Sequence, residues 1–390
     1  MPEMSRENQI DRMQRVIEAN LGIPAFEGNR LEVLQNGIEI FPRMLKAIES
    51  AERSVDLLTF VYWKGEIAWR FARTLAAAAR RKVRVRVLLD GVGAIPMKEA
   101  LVDLMEDAGV EVAWFRPPVR WKLWQSDNRT HRKILVCDRT VGFTGGVGIA
   151  EEWEGNARNP SEWRDTQVRV EGPAVRGLEA AFLTNWQETG RLSLAEVDNL
   201  PGPKTVGSTP VHVVRSAAMI GWSDVASLFR SVIGAARRRL WITTAYFVPD
   251  DAAVDLLCET QKRGVDVRVL VPGQYMDKRV SGLAGSESFK RLLQGNIAIW
   301  RYQKTMIHAK VLTVDGVLAL VGSPNFNHRS MKQDDEVCLV VPDPEFTARL
   351  DADFEQDLAY AERLTEKSWE QRGLLRRIGE RVSQLVKPQA

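Results

Sequence analysis

The sequence predicts an α/β protein built from two similar halves, and three observations carry that prediction. Short apolar runs of strand length alternate with helical patterns in each half. The same succession of segments occurs twice in the same order. Between the copies, Pro201, Gly202, Pro203, Lys204, Thr205, Val206 and Gly207 break the pattern as a linker would. A length of 390 residues suits two domains better than one or three.

Taken in order, residues 1–27 carry charges throughout and predict a helix over about residues 7–19 with no readable chemistry. The first domain is expected over 28–204. In it, LEVLQNGIEIFPRMLKAIESA leads into the apolar run VDLLTFVYW (55–63), followed by VRVRVLLD (83–90) and HRKILVCDRTVGFTGG (131–146). The second domain is expected over 205–365. There VHVVRSAAMIGWSDVASLFRSVIGAA leads into LWITTAYFV (240–248), then VDVRVLVP (265–272) and HAKVLTVDGVLALVGS (308–323). The three matches have offsets of 185, 182 and 177, a drift of only eight residues, which marks an internal duplication. Residues 366–390 close the chain with Leu375, Ile378, Val382 and Leu385 at helical spacing on a basic background. Two such halves can pack about a pseudo-two-fold axis, and a site at their seam takes the same residues twice.

Composition narrows the function classes. Apolar residues at 45% and charged residues at 27% exclude a disordered or fibrous chain. Lysine and arginine number 54 against 51 acidic residues, so a net charge of +3 leaves no global attraction for nucleic acid, and basic surface must be local. Cys137, Cys258 and Cys338 are far apart and form no CxxC pair, which fits reduced thiols. No apolar run is long enough to span a bilayer, and the N-terminus lacks the apolar core of a signal peptide. The expectation is a cytoplasmic protein that meets membranes from outside the bilayer.

The chemistry lies in the duplicated His-x-Lys-x4-Asp: His131, Lys133 and Asp138, then His308, Lys310 and Asp315. These motifs use two of only four histidines. On a strand, residues i and i+2 share a face, so each His and Lys would point together. Fourteen residues after each His stands Gly145-Gly146 or Gly322-Ser323, small enough for a ligand to approach the backbone. One such pair on a strand is ordinary decoration. Two at matched places in a duplication, each costly to bury without a partner, point to two imidazoles and two ammonium groups around one anion.

With these residues in hand, the sequence resembles the phospholipase D superfamily, whose signature is a duplicated HxKx4Dx6G[SG]xN. HAKVLTVDGVLALVGSPNFNHRS, the following DDEV, and YFVPDD (246–251) are similar to its cardiolipin synthase-like branch, and the likeness runs over about residues 28–365. The resemblance implies two α/β-sandwich domains related by a pseudo-two-fold, with the active site at their interface. It implies phosphodiester transfer through a phosphohistidine, with His131 as nucleophile and His308 as acid and base. Lys133 and Lys310 would hold the non-bridging oxygens, so no metal and no cofactor is called for. It also implies a carboxylate downstream of each His that orients it: Glu336, 28 residues beyond His308, and as its counterpart Asp165, displaced by an extra loop at about 151–162. Gly145, Gly146, Ser323 and Asn325 are the candidate substrate contacts. Asp138 and Asp315 are read as fixing loop geometry rather than touching substrate. The first copy departs from the signature, with Gly146 and Gly148 where the second has Ser323 and Asn325. His212 is expected to be structural.

The segment AWFRPPVRWKLWQSDNRT (113–130) mixes Trp114, Phe115, Trp121 and Trp124 with Arg116, Arg120, Lys122 and Arg129. That mixture suits a membrane surface, although packing beneath a loop or stacking on nucleic acid uses the same residue types. The C-terminal helix suits a membrane interface or docking on the protein equally well. Together these features predict a phosphatidyltransferase acting on a phosphatidylglycerol-like lipid, peripheral to the inner face of the cell membrane and not acting on nucleic acid. Hydrolysis of phospholipids by the same site is the alternative, a nucleic-acid phosphodiesterase the next, and a silent membrane-binding protein the last.

Overall fold

The computed structural model describes residues 5–118, 128–191, 202–217, 223–277 and 286–370, apart from the side chains of 286, 287 and 370. Among the described residues the first half contributes seven strands: β1 (Phe26–Gln35), β2 (Ser54–Thr59), β3 (Arg84–Asp90), β4 (Glu111–Phe115), β5 (Ile134–Cys137), β6 (Val141–Gly145) and β7 (Thr166–Glu171). The second contributes β8 (Thr209–Ser216), β9 (Arg239–Thr243), β10 (Phe247–Val248), β11 (Asp266–Pro272), β12 (Ala298–Tyr302), β13 (Val311–Val314), β14 (Leu318–Gly322), β15 (Phe326–Asn327), β16 (Glu336–Val341) and β17 (Ala361–Arg363).

From the antiparallel β1–β8 pair outward, one half runs β7-β6-β5-β2-β3-β4 and the other β16-β14-β13-β9-β11-β12, the same order with the same mixture of directions. The duplication is therefore structural. It extends to small details: Tyr62 bridges Ile149 just as Phe247 pairs Phe326 at the matched positions.

The parallel strands are separated by helices whose apolar stripes fill the core. Glu66–Arg80 buries Ile67, Ala68, Phe71, Ala72 and Leu75 at helical spacing. A third apolar cluster joins the halves, with Val168 and Val170 of β7 packed among Val337, Leu339 and Val341 of β16. The N-terminal helix, Arg6–Leu21, is not a free extension. Its Met13 and Ile17 lie in the core of the second half, beside Val225, Leu228 and Val232.

Two devices position the site. Asp138 takes a left-handed conformation (φ 51°) and accepts hydrogen bonds from the backbone N–H of Glu52 (2.9 Å), Arg53 (2.7 Å) and Ser54 (2.9 Å), the turn that launches β2. Asp315 (φ 54°) does the same for Arg237, Arg238 (2.7 Å) and Arg239 (3.0 Å) before β9. Aspartate tolerates that backbone region, and three backbone donors satisfy its charge. The second device is Arg132, fully buried, whose guanidinium donates to the carbonyls of Ala181 and Ser216 (both 2.7 Å) and Glu336 (3.2 Å) and to Asn185 Oδ1 (2.9 Å). It ties a helix of the first half to β8 and β16 of the second.

The segment expected at a membrane surface divides. Trp114 is exposed, but Phe115 is a core residue at the end of β4. Arg129 is buried because its charge is spent on Asp90, with further bonds to the carbonyls of Phe115 and Arg116. Arg116 pairs with Glu188. Arg120, Trp121, Lys122 and Trp124 lie outside the described residues, as do Leu375, Ile378, Val382 and Leu385 of the C-terminal helix. Among the described residues no helix is long and apolar enough to cross a membrane. His212, fully buried, hydrogen-bonds the Ile23 carbonyl through Nδ1 (2.9 Å).

The aspartate clamps predict that Asp138→Ala and Asp315→Ala each lower the free energy of unfolding by about 2 kcal/mol, the scale of hydrogen bonds to a charged group. Urea denaturation followed by circular dichroism measures this, and a loss below about 0.5 kcal/mol for both would contradict the clamp.

Candidate active site

His131 and Lys133 do not lie on a strand; they stand in the extended segment that leads into β5, and His308 and Lys310 in the equivalent segment before β13. Each segment is held by the opposite half. His131 N–H donates to the Asp335 carbonyl (2.9 Å), and Asp335 N–H to the Arg129 carbonyl (2.8 Å). Symmetrically, His308 N–H donates to the Arg164 carbonyl (2.7 Å), and Arg164 N–H to the Met306 carbonyl (2.9 Å).

That backbone pairing overturns the expected orientation of the histidines. Glu336 does not serve His308; its carboxylate lies 3.0 Å from His131 Nδ1. Asp165 does not serve His131; it lies 2.9 Å from His308 Nδ1. The physical reason is the two-fold relation. The strands β7 and β16 flank the central β1–β8 pair, and the backbone pairing of Thr130 with Asp335 and of Ile307 with Arg164 sets the carboxylate that follows each of Asp335 and Arg164 beside the histidine of the other half. A carboxylate at Nδ1 accepts that proton and leaves Nε2 as the nitrogen available for chemistry.

The lysines join the two motifs into one site. Both are almost completely buried. Lys133 Nζ donates to the His131 carbonyl (2.7 Å), and Lys310 Nζ lies 2.9 and 3.0 Å from the two ring nitrogens of His308. Burial lowers the Lys133 ammonium to about 8 against the pull of Glu336 and Asp165. Burial lowers Lys310 to about 7, and the Lys133 charge pushes it further the same way while Asp165 opposes. His308 falls to about 4, chiefly through burial and then through Lys310. Burial works against the charge of Asp165, yet hydrogen bonds from His308 and Trp153 and the charge of Lys310 hold it below the usual carboxylate range. Burial raises Glu336, with Lys133, Ser323 and Ser330 opposing. Two buried ammonium groups, close enough for the Lys133 charge to depress Lys310, define a place for an anion.

Of the candidate substrate contacts, Ser323 is already engaged: its hydroxyl donates to Glu336 and accepts from Val337 N–H (3.0 Å). Ser330, which sequence reasoning missed, donates to the other oxygen of Glu336 (2.6 Å). Asn325 is buried, and its side-chain oxygen has no hydrogen-bond partner. Gly145 and Gly146 act by what they leave out. A Cβ on Gly145 would come within 2.4 Å of the Thr166 carbonyl, and one on Gly146 within 2.2 Å of Asp165 Oδ1. Gly146 therefore makes room for the carboxylate that orients His308.

The missing Ser in the first copy is replaced by a residue that sequence reasoning passed over. Trp153 donates its Nε1–H to Asp165 Oδ2 (2.8 Å), the service Ser323 performs for Glu336. Gly148, where the second copy has Asn325, is packed from two sides: a Cβ there would come within 2.7 Å of Val61 Cβ and stand 3.2 Å from Trp153 Cη2. The signal was present: two tryptophans fall in or beside the extra loop that only the first half carries.

The family described as "Cardiolipin synthase, PLD-like domain" matches residues 44–159 and 229–358, one stretch in each half. Cardiolipin synthase from Geobacillus kaustophilus is 34% identical over 369 residues, covering 94% of this chain and 73% of the relative. Cardiolipin synthase 1 from Bacillus cereus is 30% identical over 385 residues, covering 96% and 75%. Among solved structures, phosphatidylserine synthase from Haemophilus influenzae superposes with a TM-score of 0.72 at 13% identity, over 97% of this chain and 100% of that one. At that identity the likeness speaks for the fold.

The two lysines give a pH signature. As pH rises through about 7 and then about 8, Lys310 and Lys133 lose their charge, so anion affinity is highest below both values and falls above them. Isothermal titration with sulfate, whose own charge is constant, is expected to weaken at least tenfold between about pH 6 and about pH 9. An affinity flat across that window would contradict the paired-ammonium site.

Proposed function

The chain belongs to the cardiolipin synthase family of phospholipase D-like phosphatidyltransferases, and on that footing we propose how its own residues carry out the reaction. A phosphatidylglycerol-like lipid places its phosphate between Lys133 and Lys310, whose charges offset the negative charge growing on the non-bridging oxygens. His131 Nε2 attacks phosphorus while Glu336 holds Nδ1–H and supports the developing imidazolium. His308, oriented by Asp165, protonates the departing glycerol alkoxide. The bound phosphate opposes the influence of Lys310 on His308, so the substrate itself favours the proton that this step needs.

In the second half of the cycle, neutral His308 takes the proton of an incoming alcohol, whose oxygen displaces His131 from phosphorus. Asn325, with its unpartnered buried oxygen, is the group we assign to the substrate. The reaction takes place at the surface of the cell membrane, reached from the cytoplasmic side.

The observation that supports this reading most is the pair of crosswise His–carboxylate contacts, with both lysines buried beside them. Lone motifs could not produce it. Purified protein incubated with phosphatidylglycerol vesicles is expected to release cardiolipin and glycerol. Phosphatidic acid alone would mark a hydrolase instead, and cleavage of single-stranded DNA without lipid turnover would overturn the lipid assignment.

His131→Ala and His308→Ala are each expected to lower turnover by at least about 10³-fold, within the range for acid–base and nucleophilic groups. Quenching during turnover with denaturant at alkaline pH, which preserves the phosphorus–nitrogen bond, followed by peptide mass spectrometry, should find the phosphatidyl adduct on residue 131. An adduct on His308 would reverse the two roles. Glu336→Gln should slow adduct formation about 10- to 100-fold, since an orienting carboxylate acts on the attacking imidazole. Asp165→Asn should instead act on leaving-group protonation, so a substrate with a more acidic leaving alcohol is expected to restore it preferentially.

A further inference from the structure

The first half carries six more residues between its His and its carboxylate than the second, 34 against 28. That insertion does not close over its own motif. It delivers Trp153 and Trp163 to His308, the histidine of the other half, with ring centroids 5.2 and 5.6 Å from the imidazole. Tyr246 of the second half closes a third side at 6.3 Å, its hydroxyl bound to Asp277 (2.7 Å). Trp153 is completely buried and serves Asp165, whereas Trp163 is only half-buried and packs on Ala245, Tyr246 and Met306.

The insertion is rigid. Glu162 accepts from the backbone N–H of Asn156 (2.8 Å) and Arg158 (3.2 Å), Ile38 N–H donates to the Gly155 carbonyl (2.9 Å), and Thr305 of the opposite half reaches the Pro160 carbonyl (3.3 Å). Trp163 N–H itself donates to the Glu152 carbonyl (2.7 Å). The indole is thus held against His308 by structure around it, on the side where it meets both the imidazole and open space.

Resting on the two-histidine reading above, we propose that Trp163 is a specificity-determining residue that selects a polyol hydroxyl over water as the second substrate. The phosphorus–nitrogen bond of the phosphohistidine breaks as a phosphorus–oxygen bond forms. The acceptor's proton passes to His308 whether the acceptor is alcohol or water, so only access to that imidazole separates transfer from hydrolysis. An indole face gives a water molecule no hydrogen bond with which to station itself at His308, while the C–H face of a glycerol unit packs on it.

The test is the ratio of products formed from one intermediate. Wild type, Trp163→Phe and Trp163→Ala are incubated with phosphatidylglycerol vesicles, and phosphatidic acid and cardiolipin are quantified together. Trp163→Ala is expected to raise the phosphatidic acid to cardiolipin ratio about tenfold, and Trp163→Phe to remain near wild type, because it keeps an apolar ring in place. The ratio is independent of how fast the intermediate forms, so a variant that is merely slower does not mimic the effect. Where melting shows the Ala variant unfolded, Trp163→Leu, which keeps an apolar side chain without the flat face, carries the comparison. An unchanged ratio in a folded Ala or Leu variant overturns the role of Trp163 while leaving the two-histidine reading intact. A wild type that forms no lipid product overturns that reading and this one with it.

Discussion

Each imidazole in this protein is held by a carboxylate from the other half, and the rest of the site follows from that exchange. The contacts His131–Glu336 and His308–Asp165 rest on backbone pairing between 130–131 and 335, and between 307–308 and 164. Neither half can orient its own histidine. A functional site therefore exists only when the two halves are docked, and Arg132, buried with four acceptors drawn from both halves, keeps them so. Removing a buried, fully bonded guanidinium leaves several carbonyls without partners, which is the costly kind of loss.

Symmetry provides two equivalent imidazoles, but the reaction needs unequal ones. The structure introduces the difference in the shell around them. Ser323 and Ser330 donate to Glu336, whereas Trp153 donates to Asp165, whose carboxylate occupies the space beside Gly146. The substitutions in the first motif make room for its neighbours, Gly146 for the Asp165 carboxylate and Gly148 for Val61 and the Trp153 ring. Their consequence is an aromatic enclosure around His308, and that is the histidine assigned to exchange protons with leaving group and acceptor.

The electrostatics have the same logic. Two ammonium groups and two carboxylates are all buried and feel one another's charge, and burial pushes both lysines well below their ordinary values. Such a site is under electrostatic tension that a phosphate diester relieves. A bound phosphate favours the charged lysines, and its own negative charge offsets the Lys310 charge that, after burial, holds His308 down. Substrate binding and proton placement are thereby linked without any moving part.

Much of this could be read from the linear chain, because repetition, strand-length apolar runs and motif spacing are one-dimensional signals. The duplicated halves, the eight residues of the two motifs and their carboxylates, and the role of Asp138 and Asp315 in their turns all lie within local segments. What the chain could not reveal was which carboxylate serves which histidine. Glu336 is 205 residues from His131 and only 28 from His308, yet it binds the former. The placement of Trp153, Ser330 and the N-terminal helix, and the burial of Phe115 and Arg129, were equally hidden. Sequence distance carries no information about contacts across a symmetry axis. Only docking the two halves decides them, since the shortest path between those side chains runs through space and not along the backbone.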